Sequence, residues 1–168
     1  MKKPLHIIVE GGDGTGKSTV VQLLSRKYNL PIIKMPVPQD KVRTAQIEEL
    51  SEIFNKTLVQ FHEIDFICDR ALLSSIVYSK LLNRTYNLNY INNIEQILDP
   101  VIIIMSAYKD GENRPFRGDD IYSADEINKV DIEYLSLAQE KKYPVIYVSG
   151  KSLLKVVDEA ITIIENAN

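Results

Sequence analysis

The sequence predicts an α/β fold, a five-stranded parallel sheet with helices on both faces. Three observations carry that expectation. Five short apolar runs are spaced along the chain, each bounded by Gly, Pro or polar residues. The stretches between them place apolar residues three and four apart, the spacing of one helix face. Strand and helix therefore alternate, and strands joined by helical crossovers pair in parallel with right-handed connections.

The elements follow in order. Leu5–Val9 reads as a buried strand, ended by a Gly cluster. From Lys17 to Tyr28, Val20, Val21, Leu23 and Leu24 share a helix face, and Asn29 and Pro31 stop it. Ile32–Met35 is a second strand, closed by Pro36 and Pro38. A helix from Val42 to about Gln60 carries Ile47, Leu50, Phe54 and Leu58. Ile64–Cys68 is the third strand, running into Asp69-Arg70, and a helix with Leu72, Leu73, Ile76, Val77 and Leu81 follows. A short helix near Ile91–Leu98 precedes Val101–Met105, the most apolar strand. Lys109–Asp120 is charged and rich in Gly and Arg, and reads as a loop. A helix from Ala124 to Lys141, a strand at Val145–Val148 and a final helix from Ser152 to about Glu165 complete the chain. Ser149 is a candidate cap for that last helix. With no repeat or linker, residues 1–168 read as one domain, and in such sheets ligands sit beyond the carboxyl ends of the strands.

Composition narrows the function. The 168 residues are 45% hydrophobic and 26% charged, with a formal net charge of −3. That acidity speaks against a duplex nucleic-acid footprint, which needs a basic surface. The single cysteine, Cys68, excludes an internal disulfide and suits a reducing compartment. No apolar run has the length of a membrane span, and the N-terminal run is too short for a signal peptide. A cytoplasmic location is expected. His6 and His62 have no partner at metal-ligand spacing.

The chemistry is concentrated after the first strand. Gly11-Gly12-Asp13-Gly14-Thr15-Gly16-Lys17-Ser18-Thr19 is G-x-x-x-x-G-K-S between a strand and a helix. Glycines let the backbone curl so that successive N–H groups face phosphate oxygens, and the helix adds its positive end. Lys17 is expected to reach the β- and γ-phosphates and Ser18 to place its hydroxyl on Mg²⁺. The motif points to a nucleoside triphosphate, ATP in the simplest case, but GTPases, ATPases and kinases share it. Asp13 is unusual among phosphate-facing N–H groups, and either faces a cation or sugar hydroxyl or caps its own turn.

At these residues the chain resembles thymidylate kinases of the P-loop nucleoside monophosphate kinase class. Ile7–Thr19 looks like that family's opening, and Asp69-Arg70-Ala71-Leu72-Leu73-Ser74-Ser75-Ile76-Val77-Tyr78 is similar to its D-R-x-x-x-S-S-x-x-Y block. The resemblance implies Mg²⁺-dependent transfer of the ATP γ-phosphoryl group to a (deoxy)nucleoside monophosphate. It implies that Asp69 lies by the metal with Ser18, that Arg70 holds the acceptor phosphate, and that Ser75 and Tyr78 line the acceptor pocket. Asp13 would meet the acceptor sugar or the metal. It further implies a lid at about 109–120 supplying Arg114 and Arg117, and a homodimer formed through helices beside the sheet.

The chain departs from the family pattern on the acceptor side. Met35-Pro36-Val37-Pro38-Gln39 stands where the family has Arg-Glu-Pro, Leu58 stands one turn after Phe54 where an Arg is usual, and Ala71 replaces a frequent aromatic. The acceptor base is therefore left open. A deoxynucleoside kinase is the nearest alternative, but Met35–Gln39 offers no carboxylate to act as base. A polynucleotide or modified-base kinase and a non-catalytic nucleotide-binding protein are the others.

Overall fold

The computed structural model describes residues 3–36, 44–107 and 122–167, with backbone alone at 44–49. Its elements are β1 (His6–Gly11), α1 (Lys17–Tyr28), β2 (Ile32–Lys34), α2 (Thr44–Val59), β3 (Phe66–Asp69), α3 (Leu72–Leu81), α4 (Leu88–Leu98), β4 (Val101–Ser106), α5 (Ala124–Lys141), β5 (Val145–Tyr147) and α6 (Leu153–Ala167). The five strands form one parallel sheet in the order β2-β3-β1-β4-β5. Chain direction across the sheet reverses at central β1, and such a switch point opens a crevice at the strands' carboxyl ends.

The strand period of two sorts the core onto two faces. Ile7 and Val9 join Ile67, Ile103, Met105 and Ile146 beneath Val20, Val21 and Leu24 of α1 and Val156, Ala160 and Ile164 of α6. Ile8 turns the other way, with Phe66, Cys68, Ile102 and Ile104, beneath α3, α4 and α5. Cys68 is fully buried there, and burial pushes its thiol well up. Register also places Glu10 on the α3–α5 face, two residues beyond Ile8.

Element ends have local causes. Asn29 closes α1 in a left-handed conformation, its N–H bonded to Ser25 O. Ser123 and Glu126 form a reciprocal capping box at the start of α5. The cap of α6 differs from the sequence expectation. Ser149 Oγ donates to Ala107 O instead, and Ser152 Oγ accepts from Lys155 N at 3.3 Å. β1 extends two residues beyond the apolar run, because Glu10 and Gly11 still pair with Ile104 and Met105 of β4. His6 is buried, stacked on Phe66, with its two ring nitrogens against the carbonyls of Leu98 and Ile64. It ties β1 to its neighbours and stands far from the Gly-rich loop.

Candidate active site

The Gly-rich loop leaves the end of central β1 and enters α1. Gly11 has φ +138°, and a Cβ there would lie 2.0 Å from Met105 O, so no other residue fits without displacing β4. Thr15 Oγ1 donates to Gly12 O at 3.1 Å, tightening the curl. Lys17 is buried, and its ammonium donates to Gly12 O and Thr15 Oγ1. Burial, and then the nearby Arg70 charge, lower its pKa to about 7.

β3 brings the second group of residues alongside, since Val9 and Asp69 are register partners. Ser18 Oγ donates to Asp69 Oδ2 at 2.6 Å, and Lys34 Nζ lies 3.8 Å from the same oxygen. The hydroxyl and the carboxylate, 51 residues apart in sequence, thus meet at one point beside the loop. Mg²⁺ favours hard oxygen ligands and uses one or two protein carboxylates, completing its shell with phosphates and water. The Ser18–Asp69 pair fits that demand. Among the described residues no group of three or more His, Cys, Asp or Glu side chains is gathered for an all-protein cage.

Arg70 turns the chain out of β3 in the left-handed region, φ 68°, with its N–H bonded to Val9 O at 3.0 Å. That geometry costs an L-residue about 1–3 kcal/mol and is held only where the surroundings fix it. One guanidinium nitrogen, Nη2, is paired with Asp13 of the Gly-rich loop, and the other, Nη1, donates to Tyr134 Oη at 3.2 Å. The Tyr78 ring lies 5.3 Å from the guanidinium carbon. Burial works against the charge, but Tyr78, Tyr134, Asp13 and Glu10 together hold Arg70 well above its ordinary value.

Beneath Arg70 lies a buried polar cluster. Helix α3 starts at Ala71, which has no side chain to cap it. Glu10 does this from the neighbouring strand. Its Oε1 accepts from the N–H groups of Ala71, Leu73 and Ser74 at 3.0, 2.9 and 3.3 Å, and its Oε2 accepts from Ser74 Oγ at 2.6 Å and lies 3.3 Å from Tyr134 Oη. The block from Asp69 to Tyr78 is thus locked to β1 by one carboxylate.

The structure brings most of the sequence-predicted residues together. Gly11, Gly14, Thr15, Gly16, Lys17, Ser18 and Thr19 form the loop and the first turn of α1, with Asp13, Asp69, Arg70 and Tyr78 around it. Asp13 pairs with Arg70 rather than capping its own turn. Ser75 faces α2, where its Oγ accepts from Asn55 Nδ2 at 2.9 Å. Arg114, Arg117 and the expected lid at 109–120 lie outside the described residues. Sequence reasoning missed Tyr134 and the capping role of Glu10. Tyr134 carries no local signal, being one apolar-face position among others on a long helix. The hint for Glu10 was an uncapped helix start at Ala71.

A phosphate loop between β1 and α1, on a sheet in this order, is the arrangement of P-loop kinases, and the chain is a nucleotide kinase. It is homologous to thymidylate kinases: it is 28% identical to a probable thymidylate kinase of Methanocaldococcus jannaschii, over 96% of both chains. Among solved structures it resembles the YorR protein of Bacillus subtilis, described in complex with phosphorylated GDP, with TM-score 0.72, 23% identity and 95% of both chains covered. It also resembles thymidylate kinase of Candida albicans, with TM-score 0.68, 22% identity and 98% and 92% covered. No family model matches the chain. Among the described residues no helix is long and apolar enough to cross a membrane.

Proposed function

We propose that this chain is a single-domain kinase that transfers the γ-phosphoryl group of ATP to a (deoxy)nucleoside 5′-monophosphate, with Mg²⁺. One observation carries the reading. Beside the Gly-rich loop stands a buried guanidinium fork, Arg70, tethered by Asp13 of the loop itself. A planar guanidinium suits a phosphate dianion, and its place beside the loop suits an acceptor phosphate brought up to the donor.

In this reading the loop amides and Lys17 hold the β- and γ-phosphates, with Lys17 exchanging its bonds to Gly12 and Thr15 for phosphate oxygens. Ser18 and Asp69 would hold Mg²⁺, which when bound neutralises charge on the β- and γ-oxygens. Arg70 holds the acceptor phosphate in line, and Asp13, released from Arg70, faces the acceptor sugar. Tyr78 and Ser75 border the acceptor. A monophosphate needs no general base, because its oxygens are already largely ionised. Rate enhancement then comes from positioning and from fixed charge, the two largest contributions in phosphoryl transfer.

The test is an ATP-consumption screen with Mg²⁺ against the common nucleosides, their 5′-monophosphates and a short DNA oligomer. Turnover with one or more monophosphates supports the reading and names the base. Turnover with a nucleoside or the oligomer alone sinks the role of Arg70 as acceptor-phosphate ligand.

A further inference from the structure

We propose that Tyr134, on α5 and remote from the loop in sequence, is a positioning residue that sets the orientation of the Arg70 fork for the acceptor phosphate. The inference rests on the reading of Arg70 given above. Three features of the site lead to it.

First, the two anchors of Arg70 differ in kind. The Asp13 side chain is 41% exposed and stands in the cradle, where an incoming phosphate competes with it for the guanidinium. Tyr134 is 0% exposed, so nothing from solvent can replace its hydroxyl. When Nη2 changes partner from Asp13 to a phosphate, the Tyr134 bond to Nη1 is the buried contact that persists.

Second, the hydroxyl is itself fixed. Tyr134 Oη lies 2.8 Å from Ser74 Oγ, and Ser74 Oγ donates to Glu10 Oε2 at 2.6 Å. An order of donation follows: Arg70 to Tyr134, Tyr134 to Ser74, Ser74 to Glu10. Each of the two hydroxyls accepts one proton and gives one, and the Glu10 carboxylate accepts the last, so the bonds polarise in the same sense. Burial, then the Glu10 charge, raise the Tyr134 phenol well above its ordinary value, so it stays a protonated donor. Glu10 is in turn held by three N–H groups of α3.

Third, Arg70 needs such an anchor. Its backbone sits in the left-handed region, and the Tyr78 ring centroid lies 5.3 Å from its guanidinium carbon. A guanidinium held at only one nitrogen can swing; held at Nη1 and stacked on Tyr78, it presents Nη2 in one direction. A misplacement of about 1 Å in such a group can cost about a hundredfold in rate.

The experiment uses the full chain and the best monophosphate from the screen. Tyr134→Phe keeps the ring and removes the hydroxyl. The acceptor KM should rise about tenfold, equal to about 1.4 kcal/mol, while the KM for ATP stays within about twofold. In an Arg70→Ala background the same substitution should add nothing further to the acceptor KM. A purely structural role for Tyr134 would move both KM values together and would act equally with or without Arg70; either result overturns the inference. Should Tyr134→Phe not fold, Ser74→Ala loosens the hydroxyl from its other side, and it should raise the acceptor KM alone by a smaller factor; no rise overturns the inference. If Arg70→Ala itself leaves acceptor KM unchanged, the reading of Arg70 falls and this inference with it. If Arg70→Ala raises it and Tyr134→Phe does not, only the role of Tyr134 falls.

Discussion

Glu10→Gln is the substitution with the most calculable consequence. Four donors face the Glu10 carboxylate, three backbone N–H groups at the start of α3 and the Ser74 hydroxyl, and Tyr134 Oη lies 3.3 Å from Oε2. Glutamine has the same shape but turns one of the two oxygens into an NH₂ group. Placed at Oε1, that group would confront three N–H donors that cannot rotate. It therefore replaces Oε2, where the two hydroxyls can turn to accept it. The remaining oxygen then makes neutral instead of charge-assisted bonds. A hydrogen bond to a charged group contributes about 1.5–3 kcal/mol against about 1 for a neutral pair, and part of the dipole interaction at the start of α3 is lost as well. Over the three N–H contacts to Oε1 the sum is about 1.5–6 kcal/mol of stability. For a chain of this size each kcal/mol moves Tm by about 2–4 °C, so thermal unfolding should shift down by roughly 3–24 °C. Urea unfolding should show a lower midpoint with an unchanged slope. Stability within about 0.5 kcal/mol of the parent would refute the capping role and, with it, the buried order of bonds beneath Arg70.

Other consequences follow from the loop and its neighbours. Lys17, lowered to about 7 by burial and then by Arg70, should regain a proton when a polyphosphate binds. Calorimetry in buffers of different ionisation enthalpy should show proton uptake near zero at pH 6 and growing above pH 7, with affinity falling as pH rises; buffer-independent heats at pH 8 would contradict it. Without ligand the unfolded chain binds the extra proton between pH about 7 and about 10, so the Lys17 contribution makes stability rise with pH across that window. Lys17→Ala should remove nearly all turnover, and full activity would end its assigned role. Asp69→Asn should raise the Mg²⁺ concentration for half-maximal rate by about tenfold or more, while Mn²⁺ or Mg²⁺ titrations identical to the parent would remove Asp69 from the metal. Gly11→Ala should abolish nucleotide binding and destabilise the fold, because a Cβ would meet Met105 O at 2.0 Å; retained binding would show that β4 yields there.

The periodic parts of the fold were legible in the sequence because local pattern determines them. The helices Lys17–Tyr28 and Ala124–Lys141 begin and end where the spacing of apolar residues and the stop signals place them. The strands were less sharply bounded: β1 continues through Glu10 and Gly11, two residues with no strand preference, because β4 lies alongside to pair with them. The loop and the Asp69-Arg70 step were legible as motifs, since the chemistry of a phosphate cradle allows few residue types. Pairing across the site was not. Nothing local to Asp13 says that Arg70 holds it, and nothing local to Tyr134 distinguishes it from Val130 or Leu137 on the same buried face. Those contacts join residues 57 and 64 positions apart and exist only once the sheet order is set. Ser149 misled for the opposite reason: its local fitness as a helix cap was overridden by a carbonyl, Ala107 O, brought near by β4.

The central claim is that Arg70 selects an acceptor that already carries a phosphate. It is tested most directly by comparing kcat/KM for a 5′-monophosphate with that for its parent nucleoside, in the wild-type chain and in Arg70→Ala. The wild-type chain should prefer the monophosphate by at least a hundredfold, and Arg70→Ala should lose most of that preference through the acceptor KM. A wild-type chain that uses the nucleoside as well as the monophosphate, or a preference that survives the loss of Arg70, would contradict it.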